Sequence, residues 1–353
     1  MIDFLFIIDD EVSRRSINPV LDLFINHGFR CGIVANRYSV KYMQQYSDYF
    51  TGENASKNLS CKFVISGNPI PKGYSKGRRV SIPHGAMFGN SAYSLLRSLH
   101  CDIYFGISSS ELPYIRHHLK EKFDEEKFYA SGCPHNDHLI NLVTAKKEHK
   151  SKARTLLGLE GGKKTILLSS HWSSIGNLRR FGTGLLDALI WNFPNHQIVC
   201  TCHPKLLTSP KGEFLINRNV QTPHFEASWL IKSLKSREGK QVKVILNEKN
   251  SSELLFLSDI FIGDNSSMLV EASIFQMPLI KSAGRRYFDK SIENIISSDT
   301  YLFSNIEELV GAVKDLENSD YAKVKNGREI RGLFGYNIGS AAKTIFDTLS
   351  SML

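Results

Sequence analysis

Short apolar runs recur along the chain, separated by segments with the mixed spacing of amphipathic helices. The run "DFLFIID" (3–9) has the unbroken apolar character of a strand covered on both faces. "NPVLDLFINHG" (18–28) reads as a helix that stops at Gly28. "RCGIVA" (30–35), "CKFVIS" (61–66), "RRVSIPHG" (78–85), "CDIYFGIS" (101–108) and "KFYASG" (127–132) supply further strands. A polar helix near 38–50 and an amphipathic one over "ELPYIRHHLKEKF" (111–123) fall between them. Alternation of this kind builds a parallel, doubly wound α/β sheet.

The rhythm lapses in "TAKKEHKSKARTLLGLEGGKK" (143–163), which is charged, then glycine-rich, with one short helix and no strand. It then restarts. "TILLSS" (165–170), "HQIVCTCHP" (196–204), "QVKVILN" (241–247) and "DIFIGD" (259–264) read as strands. "GTGLLDALIWNFP" (182–194) and "SSELLFLS" (251–258) read as helices, 206–240 as an irregular insertion, and "GSAAKTIFDTLSSML" (339–353) as a final helix. The expected organisation is therefore a Rossmann-like domain over 1–145, a linker over 146–163, a second Rossmann-like domain over 164–330 and a C-terminal helix over 331–353. The two domains are expected to face a central cleft, with ligands beyond the carboxyl ends of the strands.

Composition narrows the function classes. With 353 residues, 42% hydrophobic and 22% charged, the chain has material for two soluble domains. No apolar run approaches the roughly 20 residues that span a bilayer. The opening "MIDFLFIIDDEVSRR" is too short in its apolar part and too acidic for a signal peptide, so a cytoplasmic place is expected. Six scattered cysteines without Cys-x-x-Cys spacing read as reduced thiols. A formal net charge of +9 favours anionic partners such as nucleotides or acidic phospholipid. The basic stretches "KGYSKGRR" (72–79), "KEHKSKAR" (147–154) and "KSLKSREGKQVK" (232–243) lack interleaved aromatic motifs, which argues against nucleic acid.

Candidate chemistry gathers where strands end. His84, in "SIPHG", follows a strand and suits a general base for a hydroxyl, though a plain turn histidine fits equally well. His203 ends the run "VCTCHPK", and Lys205 adds a cation beside it. Together they suit a diphosphate, and an ordinary strand-end turn is the alternative. In "IFIGDNSSMLVEAS" a strand hands over to a helix through Asp264, Asn265, Ser266 and Ser267. That junction is either simple N-capping or a phosphate seat on the helix N-terminus. Glu271, one turn beyond Ser267, is positioned to accept ribose hydroxyls, or is merely an exposed helix residue. Asp264 orients backbone in either case. The loop "SSHWSSIGN" (169–177), with Ser170 and His171, is a candidate nucleotide contact. Asn136-Asp137 reads as local capping, and His117-His118 as a solvated helix face. No His-x-His or His-Glu-x-x-His arrangement points to a metal, and no cofactor is expected.

Taken together, these blocks resemble the CDP-glycerol glycerophosphotransferase family, enzymes of teichoic acid and related capsule synthesis. "IPHG" (82–85) is similar to its Trp-His-Gly block, "KFYASGCPHNDHLI" (127–140) to its Gly-Tyr-Pro-Arg-Asn-Asp block, and "VCTCHPK" (199–205) to its Arg-x-His-Pro block. "LLFLSDIFIGDNSSMLVEASIFQMPLI" (254–280) is similar to its Thr-Asp-Tyr-Ser-Ser block. The resemblance implies a GT-B-like fold, with 1–145 as acceptor domain and 164–330 as nucleotide-binding domain. It also implies transfer of glycerol phosphate, or a related polyol phosphate, from a CDP-activated donor to a hydroxyl of a cell-surface polymer precursor, releasing CMP.

Carried across, His84 is the base, His203, Ser266 and Ser267 grip the diphosphate, and Glu271 meets the ribose. Departures concern the polyol and the acceptor: "AMFGN" follows His84, Thr201 stands before the His-Pro pair, and Asn265 stands before the serines. The expected partners are a CDP-glycerol-like donor, a lipid-linked or glycan acceptor, and the inner face of the cell membrane as a peripheral contact. Alternatives are a GT-B glycosyltransferase using a sugar nucleotide, a sugar-nucleotide epimerase, and a catalytically silent nucleotide-binding subunit of a capsule assembly complex.

Overall fold

The computed structural model describes residues 2–9, 11–35, 44–50, 60–70, 77–83, 85, 92–145, 147–171, 176–203, 206, 227–246, 251–284, 289–318 and 324–353. The chain forms two compact units, Met1–Asn141 with Gly332–Leu353, and Leu142–Arg331.

In the first unit, β1 (Ile2–Ile8), β2 (Cys31–Ala35), β3 (Cys61–Ser66), β4 (Arg78–Ser81), β5 (Ile103–Gly106) and β6 (Phe128–Ala130) form one parallel sheet ordered β2-β1-β3-β4-β5-β6. Phe4 to Ile8 of β1 are all buried, so the strand shows no alternation in sequence. Its Phe4 ring lies 3.8 Å from Phe24 and 5.4 Å from Phe63.

The helix bearing Phe24 is longer than its sequence pattern suggested. It spans Glu11–Asn26, with Pro19 inside it. The helix was expected only from residue 18, but the buried stripe of Ser13, Ser16, Ile17, Val20, Leu21 and Phe24 starts a turn and more earlier and runs through Pro19. Two serines on that stripe hid its first turns from a hydrophobicity reading.

The end of the chain packs back onto this unit. Ile345, Phe346 and Leu349 of the helix Ala341–Ser350 join the core that holds Ile17 and Phe24. The N-cap residue Ser340 makes no side-chain capping bond. Asp137 does the capping instead: its carboxylate accepts from the backbone N–H of Gly339, Ala341 and Ala342 at 2.9, 3.0 and 2.8 Å. Capping was expected of this residue, but locally; the helix it serves lies 202 to 205 residues further on.

The second unit repeats the architecture. Its strands β7 (Thr165–Ser170), β8 (Gln197–Cys202), β9 (Val242–Val244), β10 (Ile260–Gly263), β11 (Leu279–Ser282) and β12 (Tyr301–Phe303) run parallel in the order β12-β11-β10-β7-β8-β9. β7 therefore pairs with the second and the fourth strand of its own unit, which is the doubly wound order that reverses direction between β7 and β10. The stretch beyond residue 280, unassigned from sequence, supplies β11, β12 and the helices Lys290–Ser298, Ile306–Asn318 and Arg328–Phe334. Part of the expected irregular insertion is regular: Ala227–Lys235 is a helix with Leu230 and Leu234 in the core. Residues 207–226 lie outside the described residues. Among the described residues no helix is long and apolar enough to cross a membrane.

Asp137→Ala removes three bonds to an otherwise uncapped helix terminus. It is expected to lower unfolding stability by about 2 kcal/mol in denaturant titrations, with Asp137→Asn recovering part of the loss. A change below about 0.5 kcal/mol would count against this cap holding the C-terminal helix.

Candidate functional site

A doubly wound sheet opens at its carboxyl edge where the strand order reverses, because the crossover helices diverge to opposite faces there. In the second unit that point lies between the ends of β7 and β10, at Ser170 and Gly263. Residues singled out from sequence meet at this edge.

Asp264 leaves β10 and is buried, at 1% exposure. One of its oxygens, Oδ2, accepts from the backbone N–H of His171 at 2.7 Å and of Asn177 at 3.1 Å. It thus ties both ends of the loop after β7. The Asn177 side chain donates to the Ser169 carbonyl at 3.2 Å, closing the loop on its own strand. Gly176 is needed here, since a β-carbon would collide with the His171 carbonyl oxygen. Ser170, expected to touch the donor, is 1% exposed. Its hydroxyl accepts from Leu178 N–H at 3.0 Å and donates to the His171 carbonyl at 3.1 Å, so it braces the loop.

Burial raises the Asp264 carboxyl to about 6, opposed by the backbone bonds from His171 and Asn177 and by the charge of Lys281. Lys281 is itself buried and pairs with Glu293 at 3.4 Å. Glu293 in turn accepts from the Asn265 amide at 2.9 Å. Asn265 is thus anchored inward, toward the helix Lys290–Ser298, and ion-pair charges stand directly behind the β10 turn. Sequence reasoning passed over Lys281 and Glu293. The signal was a lysine inside the apolar strand run "PLIKS", since buried lysines are paired ones.

Ser266 is the N-cap of the helix Ser267–Ile274, with extended backbone and no side-chain capping bond. Its hydroxyl is buried and has no hydrogen-bond partner among the described residues. The plain capping reading, in which Ser266 satisfies the helix terminus, is therefore not what the side chain does. Ser267 is exposed beside it. The positive end of the helix dipole and a hydroxyl donor meet at this point, the composition of an anion seat.

His203 follows β8, its N–H donating to the Ser170 carbonyl at 2.9 Å. That bond sets its ring beside His171, with centroids 5.7 Å apart and planes at 64°. Burial pushes the neighbouring Cys202 thiol up to about 12, so it stays protonated and offers no thiolate nucleophile.

Other expected residues fare differently. Glu271 is only 2% exposed and accepts from the Ser252 hydroxyl at 3.1 Å. Its helix is buried from Leu269 to Ile274, so the expected exposed face does not exist there. His84 and Lys205 lie outside the described residues. In the first unit, buried Arg97 holds the end of β4 that leads to His84, donating to Ser81 Oγ at 3.0 Å and to the Ile82 carbonyl at 2.6 Å. A mainly apolar hollow of about 520 Å³, lined by Phe256, Ile260, Phe275, Met277 and Leu316 among others, lies at the opposite, amino edge of the second sheet. No histidine is among the residues that line it.

No protein-family model matches the sequence, and no curated protein sequence matches it. Solved structures do resemble the fold. The wall teichoic acid polymerase TagF superposes with a TM-score of 0.63 at 18% identity, covering 99% of this chain and 88% of that one. A complex of S. aureus MnaA with UDP gives 0.64 at 12%, covering 100% and 97%. A glycosyltransferase from Rickettsia africae ESF-5 gives 0.59 at 14%, covering 99% and 98%. At these identities the likeness is one of fold, and the fold is α/β of the GT-B glycosyltransferase type.

The Asp264 shift has a measurable sign. Its folded-state value lies above the ordinary carboxylate value, so the stability it contributes is full below that ordinary range and is lost as pH rises through about 6. Wild type should therefore gain about 2–3 kcal/mol on Asp264→Asn between about pH 7 and about pH 4. Parallel stability–pH curves for the two proteins would contradict the burial of this carboxyl.

Proposed function

We propose that the chain is a transferase that moves a polyol phosphate, such as glycerol phosphate, from a CDP-activated donor to a hydroxyl of a cell-surface polymer precursor. One observation supports this most. At the switch point of the second sheet, a buried Ser266 hydroxyl without a partner among the described residues sits at a helix N-terminus, on the same sheet edge as His171 and His203. Those features suit a diphosphate, and the similarity in fold to TagF, which has been solved after soaking with CDPG, supports the same donor class.

In this reading the donor diphosphate rests on Ser266, Ser267 and the first turn of their helix, with His203 and Lys205 supplying further donors and charge. His171 lines the same seat, and Glu271 is the ribose contact once its bond from Ser252 yields. The acceptor hydroxyl attacks the β-phosphorus, His84 takes the hydroxyl proton, and the phosphoanhydride bond breaks with CMP as leaving group. Such a centre works by positioning and by donors preset toward developing charge. A cytoplasmic site of action and a lipid-linked or glycan acceptor belong to the same reading.

A second reading keeps the fold and changes the donor: a glycosyltransferase using a sugar nucleotide. The likeness to MnaA with UDP favours it, the TM-score being as high as that for TagF.

Donor turnover separates the two. Release of CMP from CDP-glycerol or CDP-ribitol is expected, and release of UDP or GDP from a sugar nucleotide would overturn the proposal. His84→Ala and His203→Ala are each expected to cut turnover at least about 100-fold with folding intact. Near-normal rates in both variants would overturn the mechanism. No turnover by the wild-type chain, with the output of a capsule assembly complex unchanged by both substitutions, would leave a catalytically silent nucleotide-binding subunit as the better account.

A further inference from the structure

Arg180 makes a bond that crosses the candidate seat. It lies on the short helix Asn177–Phe181, which opens where the loop after β7 closes. Its Nη1 donates to the backbone carbonyl of Ala283 at 2.5 Å, and Ala283 directly follows β11. In the sheet, β10 lies between β7 and β11. Neighbouring strands stand about 4.8 Å apart, so a residue after β7 that reaches one after β11 spans roughly 10 Å. The arginine side chain therefore passes over the carboxyl end of β10, where Asp264 turns toward the N-cap residue Ser266.

Its surroundings hold it there. The guanidinium carbon stands 4.7 Å from the centroid of the Phe181 ring, and that ring lies 5.7 Å from Phe303 of β12. Cation–π attraction keeps the arginine against this aromatic shelf. Ala283 is fixed in turn, its N–H donating to the Phe303 carbonyl at 2.7 Å. A β-carbon at Gly284 would stand 3.2 Å from Arg180 Nη1, so the glycine leaves the guanidinium its room.

One donor is committed to Ala283. An arginine carries five N–H groups in a planar fork, and among the described residues no carboxylate pairs with this one. Partial burial lowers its pKa and the charge of Asp264 raises it, which places the guanidinium in the field of that carboxyl. The charges behind the rim do not themselves attract an anion. Lys281 is matched by Glu293, and Asp264 is negative once ionised. A diphosphate on Ser266 needs cations near it, and Arg180 brings one.

From these features we infer that Arg180 is a donor-binding residue, its guanidinium gripping the diphosphate of a nucleotide held at Ser266 while Nη1 stays on Ala283. The inference rests on the diphosphate seat proposed above and adds a cation to it. The planar fork is the reason for an arginine at this position. One edge is fixed on a backbone carbonyl, and the other meets two phosphate oxygens at once. A lysine would supply the charge without the fork. Because the Ala283 bond already sets the guanidinium in place, little side-chain freedom is lost when the nucleotide binds.

Calorimetric titration of the full chain with CDP, UDP and cytidine tests it. Arg180→Met keeps the stem over Phe181 and removes the donors. It is expected to weaken CDP binding at least about tenfold, with cytidine affinity within about twofold and the melting temperature unchanged. Arg180→Lys should recover part of the loss. The inference is overturned if Arg180→Met binds CDP as tightly as wild type, or loses cytidine in the same proportion. Its failure is separate from that of the donor reading. Tighter wild-type binding of UDP than of CDP would sink the CDP-activated donor, and the same tenfold loss on UDP would still uphold Arg180. Wild type that binds neither diphosphate overturns both.

Discussion

The candidate site depends on the Asp264 carboxylate and the two backbone N–H groups it accepts. His171 directly follows β7 and Asn177 opens the first turn after its loop, while Asp264 directly follows β10. The two strands are neighbours in space and 94 residues apart where they meet as Thr165 and Asp259. Without the carboxylate, two buried donors would go unsatisfied, at a cost of about 1–3 kcal/mol each. With it, the loop after β7 and the turn after β10 become one rigid rim. Lys281 and Glu293 stand behind that rim, and the charge of Lys281 offsets part of what burying Asp264 costs.

This arrangement explains why a turn rich in aspartate, asparagine and serine follows β10. Each residue has a separate task. Asp264 fixes the neighbouring loop, and Asn265 ties the turn inward to Glu293. Ser266 is left with its hydroxyl uncommitted at the positive end of a helix. A turn built only to start the helix would use the serine as its cap. Here the backbone of Ser266 begins the helix and its side chain takes no part in doing so.

Much of the fold was legible because continuous apolar runs mark buried parallel strands, and β3 and β7 match the sequence reading residue for residue. The reading failed where polar residues occupy buried positions. Ser13 and Ser16 hid the start of the first helix, and Lys281 and Glu293 lie in the core as a pair. Within the site, the approach of His203 to His171 was not read from the sequence, although both residues follow the ends of neighbouring parallel strands. The long-range partners of Asp137 and Asp264 were not legible either, because a carboxylate accepting backbone N–H leaves no mark on the sequence that supplies it. The burial of Glu271 went unread for a related reason: helix periodicity assigns a face only when one face is exposed, and that helix is covered nearly all round.

The central claim is that an anionic diphosphate sits at the rim formed by the ends of β7 and β10. Amide hydrogen exchange with and without a cytidine diphosphate ligand addresses it most directly, since each N–H on the rim reports for itself. Added ligand should slow exchange at residues 266–269 and at His171, and leave the first sheet's strand interiors and the hollow beside Met277 unchanged. Unaltered exchange at 266–269 under saturating ligand, or protection centred on the hollow at the amino edge, would contradict the account.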